Sequence, residues 1–212
     1  MAPASPRELS ERELHEYVAE VEGHESQVTG VVGYFYEMYR AEVLARVAGV
    51  AGKDILEIGC GEGMMFEGTP TSPVQMDVSF TRVARAAGKC RYLLCGDGYD
   101  LPFTNESFEL VLLIAVLEHT REPWRVLKEA RRVLKPGGRV IMVVPNDATM
   151  SAGRLLLRKF PIRYPDHLTF TTPGKMRRWL AEGFRITEAF HLPFRPLPFA
   201  VNLYHFVVAE RV

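Results

Sequence analysis

The spacing of apolar side chains divides the chain into two regimes. Before residue 50 they recur every three or four places. Leu14, Tyr17, Val18 and Val21 form one stripe; Tyr34, Phe35, Met38, Tyr39, Val43, Leu44 and Val47 form a second, rich in aromatics. Both predict helices. Ser5-Pro6-Arg7-Glu8 has the form of a capping box, Ser10 with Glu13 offers a second start, and Gly23 is a stop. Residues 49–53 close the second helix. From Asp54 onward short β-branched runs predict strands at 55–58, 74–77, 92–95, 108–115 and 140–144. The run at 108–115 is apolar almost without interruption, as in a strand covered on both faces. Helical patterns fall between them at 82–87 and 123–134, the latter broken by Lys135-Pro136-Gly137-Gly138. A third helix runs from Thr172-Pro173 to Glu182. Two last strands, 185–190 and 203–209, lie too close together for a crossover and are expected to pair antiparallel. The alternation predicts an α/β fold: a doubly wound, mostly parallel sheet with an antiparallel last pair and helices on both faces.

The chemistry concentrates at the ends of the first three strands. Asp54-Ile55-Leu56-Glu57-Ile58-Gly59-Cys60-Gly61-Glu62-Gly63 runs a buried strand into glycines at every second position. Glycine lets the backbone turn tightly and approach a ligand without a Cβ in the way. Such a turn also occurs for structural reasons alone. Asp77 ends the second strand, where an acid suits the two hydroxyls of a ribose. Asp97, in Cys95-Gly96-Asp97-Gly98, ends the third, and its carboxylate can accept from an exocyclic amine such as that of adenine. Either acid could simply cap a helix. Three consecutive strands ending in suitable groups describe a nucleoside site.

Composition narrows the class of partner. Lys and Arg together number 26, as do Asp and Glu, so there is no net field to draw in nucleic acid or a membrane surface. Hydrophobic residues make up 47% and charged ones 25%, a globular balance. Cys60, Cys90 and Cys95 are an odd number, and the start of the chain has no apolar signal region. A cytoplasmic protein without a disulfide framework is therefore expected. No apolar run reaches membrane-spanning length. Between residues 151 and 180 seven basic residues, among them Arg154, Arg158, Lys159 and Arg163, face one acid, Asp166. They suit an anionic acceptor, or a solvated face balanced by the acidic N-terminal helix.

Together these motifs resemble the class I S-adenosylmethionine-dependent methyltransferases of the small-molecule type 11 kind, a Rossmann-like fold. Leu56 to Gly63 matches the family's first motif, Asp77 in Met76-Asp77-Val78-Ser79 its ribose acid, and Gly96-Asp97 with Leu101-Pro102-Phe103 its adenine segment. Phe108-Glu109-Leu110-Val111, Val116-Leu117-Glu118-His119 and Glu129 to Gly138 match the fourth strand and the helix behind it. The likeness covers residues 54–212. It implies S-adenosylmethionine as cofactor, with Gly59, Cys60, Gly61 and Gly63 around its methionine part. Glu57 and the Ala115 carbonyl would hold its ammonium, and Val78 and Gly98 would flank the adenine. It also implies a core at 51–212, a helical cap at 1–50 and an acceptor-side insertion at 146–172. The stretch between Gly63 and Asp77 leaves room for about one turn of helix, which would expose the methionine side. An activated sulfonium methyl needs mainly proximity and orientation, so a base is required only for an acceptor that carries a proton. His119 and His167 are the candidate catalytic residues, with Asp166 beside His167 raising its basicity. His15, His24, His191 and His205 have surface or structural roles. Glycine one position too early argues against a dinucleotide fingerprint, and no acidic pair follows the fourth strand, so no metal is expected. Cys60 and Cys95 read as small apolar residues. The expected partner is a small acceptor, anionic with a hydrophobic body, bound by a monomer or homodimer. A non-catalytic cofactor-binding or protein-interaction module of the same fold is the alternative.

Overall fold

The structure, a computed structural model, describes residues 9–21, 30–156, 158, 164 and 166–212. Ser10 opens α1 (Glu11–Val21). Its hydroxyl accepts from Glu13 N at 3.3 Å while Glu13 Oε2 accepts from Ser10 N at 2.9 Å, a reciprocal capping box. The other box, at Ser5 to Glu8, the stop at Gly23 and His24 lie outside the described residues. Helix α2 (Gly30–Val47) follows, and then the sheet: β1 (Ile55–Ile58), β2 (Val74–Asp77), β3 (Tyr92–Cys95), β4 (Phe108–Ile114), β5 (Leu134–Pro145), β6 (Phe184–Leu192) and β7 (Tyr204–Arg211). Between the strands lie α3 (Phe80–Ala86), α4 (Pro123–Val133), α5 (Asp147–Leu156) and α6 (Pro173–Leu180).

The strand order is β3-β2-β1-β4-β5-β7-β6, parallel through β5, with β7 antiparallel to both neighbours. The fold class is therefore the one the hydrophobic pattern predicts. The chain winds outward from β1 toward β3 and, in the other direction, from β4 toward β5. This leaves a crevice at the carboxyl ends of β1 and β4, where open α/β sheets take their ligands. Alternation along β4 and β5 sorts the two cores. Val111, Leu113, Val140 and Met142 meet Val126, Leu127 and Ala130 of α4 and Met176 and Leu180 of α6. On the other face Leu110, Leu112, Ile141 and Val143 meet Tyr39, Val43 and Val47 of α2. Among the described residues the expected N-terminal cap thus divides: α2 is a layer of the core, and α1 lies across the crevice.

The family-like stretch around Glu129 has a structural reason. Glu129 pairs with Arg132 at 2.7 Å and accepts from Leu101 N, while Arg132 donates to Leu101 O and Phe103 O. The pair clamps the loop that follows β3. Four expectations need correction. The β1–β2 connection contains turns and no helix, and its Met65 and Phe66 are buried beneath α2. Residues 135–138 stop α4 as expected but lie within β5, where Gly137 has φ +74° and the register shifts between Phe108 and Leu110. Helix α5 has no counterpart in the predicted elements. Cys95, expected as an apolar filler, is exposed on edge strand β3. Among the described residues no helix is long and apolar enough to cross a membrane.

Candidate active site

The glycine turn is three different glycines. All have positive φ, +73° at Gly59, +56° at Gly61 and +77° at Gly63, where L side chains are strained. A Cβ on Gly59 would stand 2.5 Å from Val116 Cγ2, and one on Gly63 2.3 Å from Cys90 Sγ. A Cβ on Gly61 would meet only Arg82 Nη1, at 3.9 Å, so that glycine keeps space open. Gly59 N and Cys60 N both donate to Met76 O (2.8 and 3.0 Å), which ties the turn to β2. Asp77 locks it from the next residue. Its Oδ2 accepts from Gly61 N at 2.8 Å and its Oδ1 from Ser79 N at 2.9 Å. Each oxygen keeps a further lone pair for a ligand. Asp97 is exposed, with Oδ1 accepting from Tyr99 N at 2.8 Å.

Two hollows, of about 830 and 1090 Å³, open from this turn. The first runs over β2 and β3, bordered by Asp77, Val78, Asp97 and Gly98 and covered by Glu11 and His15 of α1. The second runs over β4 and β5, with Glu57, Cys60 and Gly61 at one end and Tyr36, Tyr39, His167 and Tyr204 around it. They meet at Gly59, Arg82, Ala115, His119 and Asp166. Gly63, expected at the ligand, borders neither; it is the packing point of the turn against Cys90. His15, expected in a surface or structural role, borders the first hollow and donates from Nε2 to His119 O at 3.2 Å. Of the aromatics in α2, Tyr36 and Tyr39 wall the second hollow, whereas Tyr34 is exposed. The described helical cap over the crevice therefore lies on the nucleoside side.

Burial sets the electrostatics of the second hollow. Glu57 accepts from Gln75 Nε2 at 2.8 Å, yet its burial outweighs that bond and pushes its carboxyl up to about 7. The Tyr36 hydroxyl is buried without a partner among the described residues, and burial raises its pKa. Ala115 follows β4 with φ +54°, a left-handed conformation in a residue other than glycine, held by Ala115 N donating to Val143 O.

At the acceptor end the pairings differ from the expected ones. Asp166 turns away from its neighbour His167 and pairs with His119, whose Nδ1 lies 3.1 Å from Asp166 Oδ2. His167 Nδ1 instead bonds Asp147 Oδ1 at the start of α5. Burial alone would lower the His119 pKa; Asp166 and Glu118 outweigh it and bring it up to about 9. Asp166 is held down at about 2, its bond to His119 overcoming its burial. Glu118 is 1% exposed, with Oε1 4.0 Å from His119 Nε2 and Oε2 without a partner among the described residues.

Residues 56–142 match a family model described as a methyltransferase domain. The stretch that matches that family runs from β1 into β5. The chain is 30% identical over 149 residues to an uncharacterized protein of Methanocaldococcus jannaschii, covering 70% of this chain and 62% of that one. It is 32% identical over 127 residues to the 27-O-demethylrifamycin SV methyltransferase of Amycolatopsis mediterranei, covering 50% of this chain and 47% of that one. The chain thus spans about half to three fifths of the length of these curated relatives. A Thermotoga maritima structure, described as a SAM-dependent methyltransferase and possible histamine N-methyltransferase, shares the fold at a TM-score of 0.71. It is 17% identical, with 93% of this chain and 99% of that one covered. The match stops before the acceptor-side residues Asp147, Asp166 and His167. Sequence reasoning expected Tyr36 as an aromatic wall of the acceptor site and missed Arg82, Glu118 and Asp147. Only Glu118 carried a signal, as a charged residue beside His119 at the end of an apolar strand.

Proposed function

We propose that the chain binds S-adenosylmethionine across both hollows and passes its methyl group to a hydroxyl of a small-molecule acceptor. The observation that carries this reading is the meeting of the two hollows at Gly59, Ala115 and His119, beside a carboxylate pinned by two backbone N–H groups. The residues present fit the cofactor. Asp77 would take the ribose hydroxyls and Asp97 the adenine amine, between Val78 and Gly98. Glu57 and the Ala115 carbonyl would hold the ammonium, and the orphaned Tyr36 hydroxyl and Arg82 would face the carboxylate. When bound, the cofactor supplies a methyl already activated on a sulfonium. The protein then contributes orientation, which accounts for most of such an acceleration. His167, its Nδ1 tied to Asp147, stands where a hydroxyl acceptor would give up its proton, and His119, brought up to about 9 by Asp166 and Glu118, would hold a proton beside it. Tyr39, Tyr164 and Tyr204 offer aromatic walls, which favour an acceptor with an apolar body over a polymer. The name of the Amycolatopsis relative, a methyltransferase of 27-O-demethylrifamycin SV, supports an oxygen acceptor.

Calorimetry with S-adenosylmethionine and its demethylated product, followed by transfer of labelled methyl into a panel of phenols and alcohols, tests the reading. Micromolar binding and label in a hydroxyl are expected. Absence of cofactor binding would refute it, and binding without transfer to any acceptor would favour the non-catalytic module.

A further inference from the structure

Three segments far apart in sequence converge at the acceptor end. Glu118 and His119 follow β4. Residues 166–171 are laid across them by Thr169 N donating to Glu118 O at 2.9 Å and by Thr171 Oγ1 donating to Pro145 O at 3.0 Å. Asp147 starts α5. Glu118, His119 and His167 each offer one donor atom, and the three atoms lie within 4.8 Å of one another. Two ligands on opposite sides of one transition-metal ion are at most about 4.2 Å apart, so a small rotation of the side chains closes the set.

Two observations separate this cluster from an ordinary polar corner. Both imidazoles have Nδ1 held by a buried carboxylate, His119 by Asp166 and His167 by Asp147. A carboxylate accepts, so Nδ1 carries a hydrogen in each ring, which leaves Nε2 as the atom for a metal ion to take in place of a proton. Outer carboxylates orient metal-binding histidines in this way. The carboxylates are also left short of partners. Glu118 Oε2, Asp147 Oδ2 and Asp166 Oδ1 are buried with no hydrogen-bond partner among the described residues. Buried carboxylate oxygens without partners are costly, and a bound metal ion would relieve that cost.

We propose that Glu118, His119 and His167 form a site for a divalent transition-metal ion, open to the second hollow, where an acceptor oxygen would complete the coordination. Two imidazoles and one carboxylate suit Mn²⁺, Fe²⁺, Co²⁺ or Zn²⁺ better than Mg²⁺ or Ca²⁺. The absence of an acidic pair after β4 had argued against any metal, but here the remaining donors and their supports come from α5 and from residues 166 and 167. The role of the acceptor rests on the methyl-transfer reading; the ion site itself does not.

The test uses the full chain, stripped with a chelator and titrated with Co²⁺ followed by its visible absorption. One Co²⁺ per chain with a d–d band is expected. His167→Ala and Glu118→Gln should abolish the band, and Asp166→Asn should weaken affinity by about 10–100-fold, with each variant still binding S-adenosylmethionine. No band in the wild-type protein, or a band that survives His167→Ala but is lost in His191→Ala, would overturn the site. A wild-type band lost in His167→Ala, in a protein that fails to bind the cofactor, would support the ion site and count against the cofactor reading alone.

Discussion

The nucleoside half and the acceptor half of the crevice are built on opposite plans. Around the first hollow the deciding contacts are local. Asp77 reaches back to Gly61 and forward to Ser79, and Met76 O anchors Gly59 and Cys60. Around the second, His119 finds Asp166 and His167 finds Asp147 only because the connection between β5 and β6 folds back over β4. The first plan fixes a backbone shape, in which a side chain in the wrong place is destructive. The second fixes side-chain tautomers and charges on a frame that tolerates change. Substitutions should therefore harm folding and cofactor binding together in the first half, and chemistry alone in the second.

The largest effect expected from this contrast is at Gly59. A side chain there carries left-handed strain of roughly 1–2 kcal/mol, and overpacking against Val116 adds about 1–3 kcal/mol. Gly59→Val should lose cofactor binding and also lower the thermal midpoint by several degrees. Gly61→Ala has only the strain and should remain folded while binding weakly. Equal melting of the two variants would dissolve the distinction between a glycine that packs and one that leaves space.

Next comes Asp77. Asp77→Ala removes charge-assisted bonds worth about 1.5–3 kcal/mol of cofactor affinity, and it also frees Gly61 N and Ser79 N. Asp77→Asn retains an acceptor for one of these and should recover stability before it recovers affinity. Calorimetry and denaturant melts on the same samples separate the two losses. Affinity unchanged in Asp77→Ala would put the ribose elsewhere.

How much could be read in the sequence follows the same division. The turn, both acids, the sheet and its antiparallel end were legible because each depends on residues close together or on a period-two pattern. Residues 108–115 could hardly be anything but a covered strand. The acceptor half was not legible in the same way. Asp166 and His167 are neighbours, yet their side chains leave in different directions, and nothing in the spacing says that their partners are His119 and Asp147. Helix α5 was missed because Asp147–Leu156 has small and polar residues, with Asp147 its only fully buried position. The missing β1–β2 helix was half visible, in Gly68 and Pro73. That Met65 and Phe66 would be buried under α2 instead depends on tertiary packing.

The pH dependence sharpens the comparison by sign. Glu57, pushed up to about 7 by burial, is protonated in the free protein below that pH. A cation binds its charged form, so cofactor affinity should fall as pH drops through 7, by at most about tenfold per unit. Folding stability should move the other way. The folded protein holds this proton more tightly than the unfolded chain, whose carboxyl titrates near 4.5. The neutral carboxyl is therefore tolerated at low pH, and stability declines as pH rises from about 4.5 to 7. Glu57→Gln should flatten both profiles. A steep affinity profile that persists in Glu57→Gln would move the titration to another group.

The smallest effect expected is on the cover of the first hollow. Helix α1 is tied down at four places. Glu11 accepts from Tyr99 Oη (3.0 and 3.1 Å) and from Arg121 N (3.2 Å), and Glu16 accepts from Thr81 N (2.9 Å). Arg85 donates to Ala19 O (2.8 Å), and His15 donates to His119 O. Only the last of these touches the acceptor half. Burial raises the Glu11 carboxyl pKa, so that bond is made at some desolvation cost and its net worth is near the ordinary 0.5–1.5 kcal/mol of a single hydrogen bond. Tyr99→Phe removes the hydroxyl while keeping the ring against Arg125, whose guanidinium lies 5.1 Å from its centroid. It should weaken cofactor affinity by roughly two- to tenfold, through faster release, because Glu11 is then held by Arg121 N alone and the cover reopens sooner. Acceptor KM and the Co²⁺ band should not change, since neither Glu11 nor Tyr99 borders the second hollow. Stopped-flow displacement of the cofactor measures release directly. A change in acceptor KM instead would mean that α1 serves both halves, and that the separation of the two plans fails at His15.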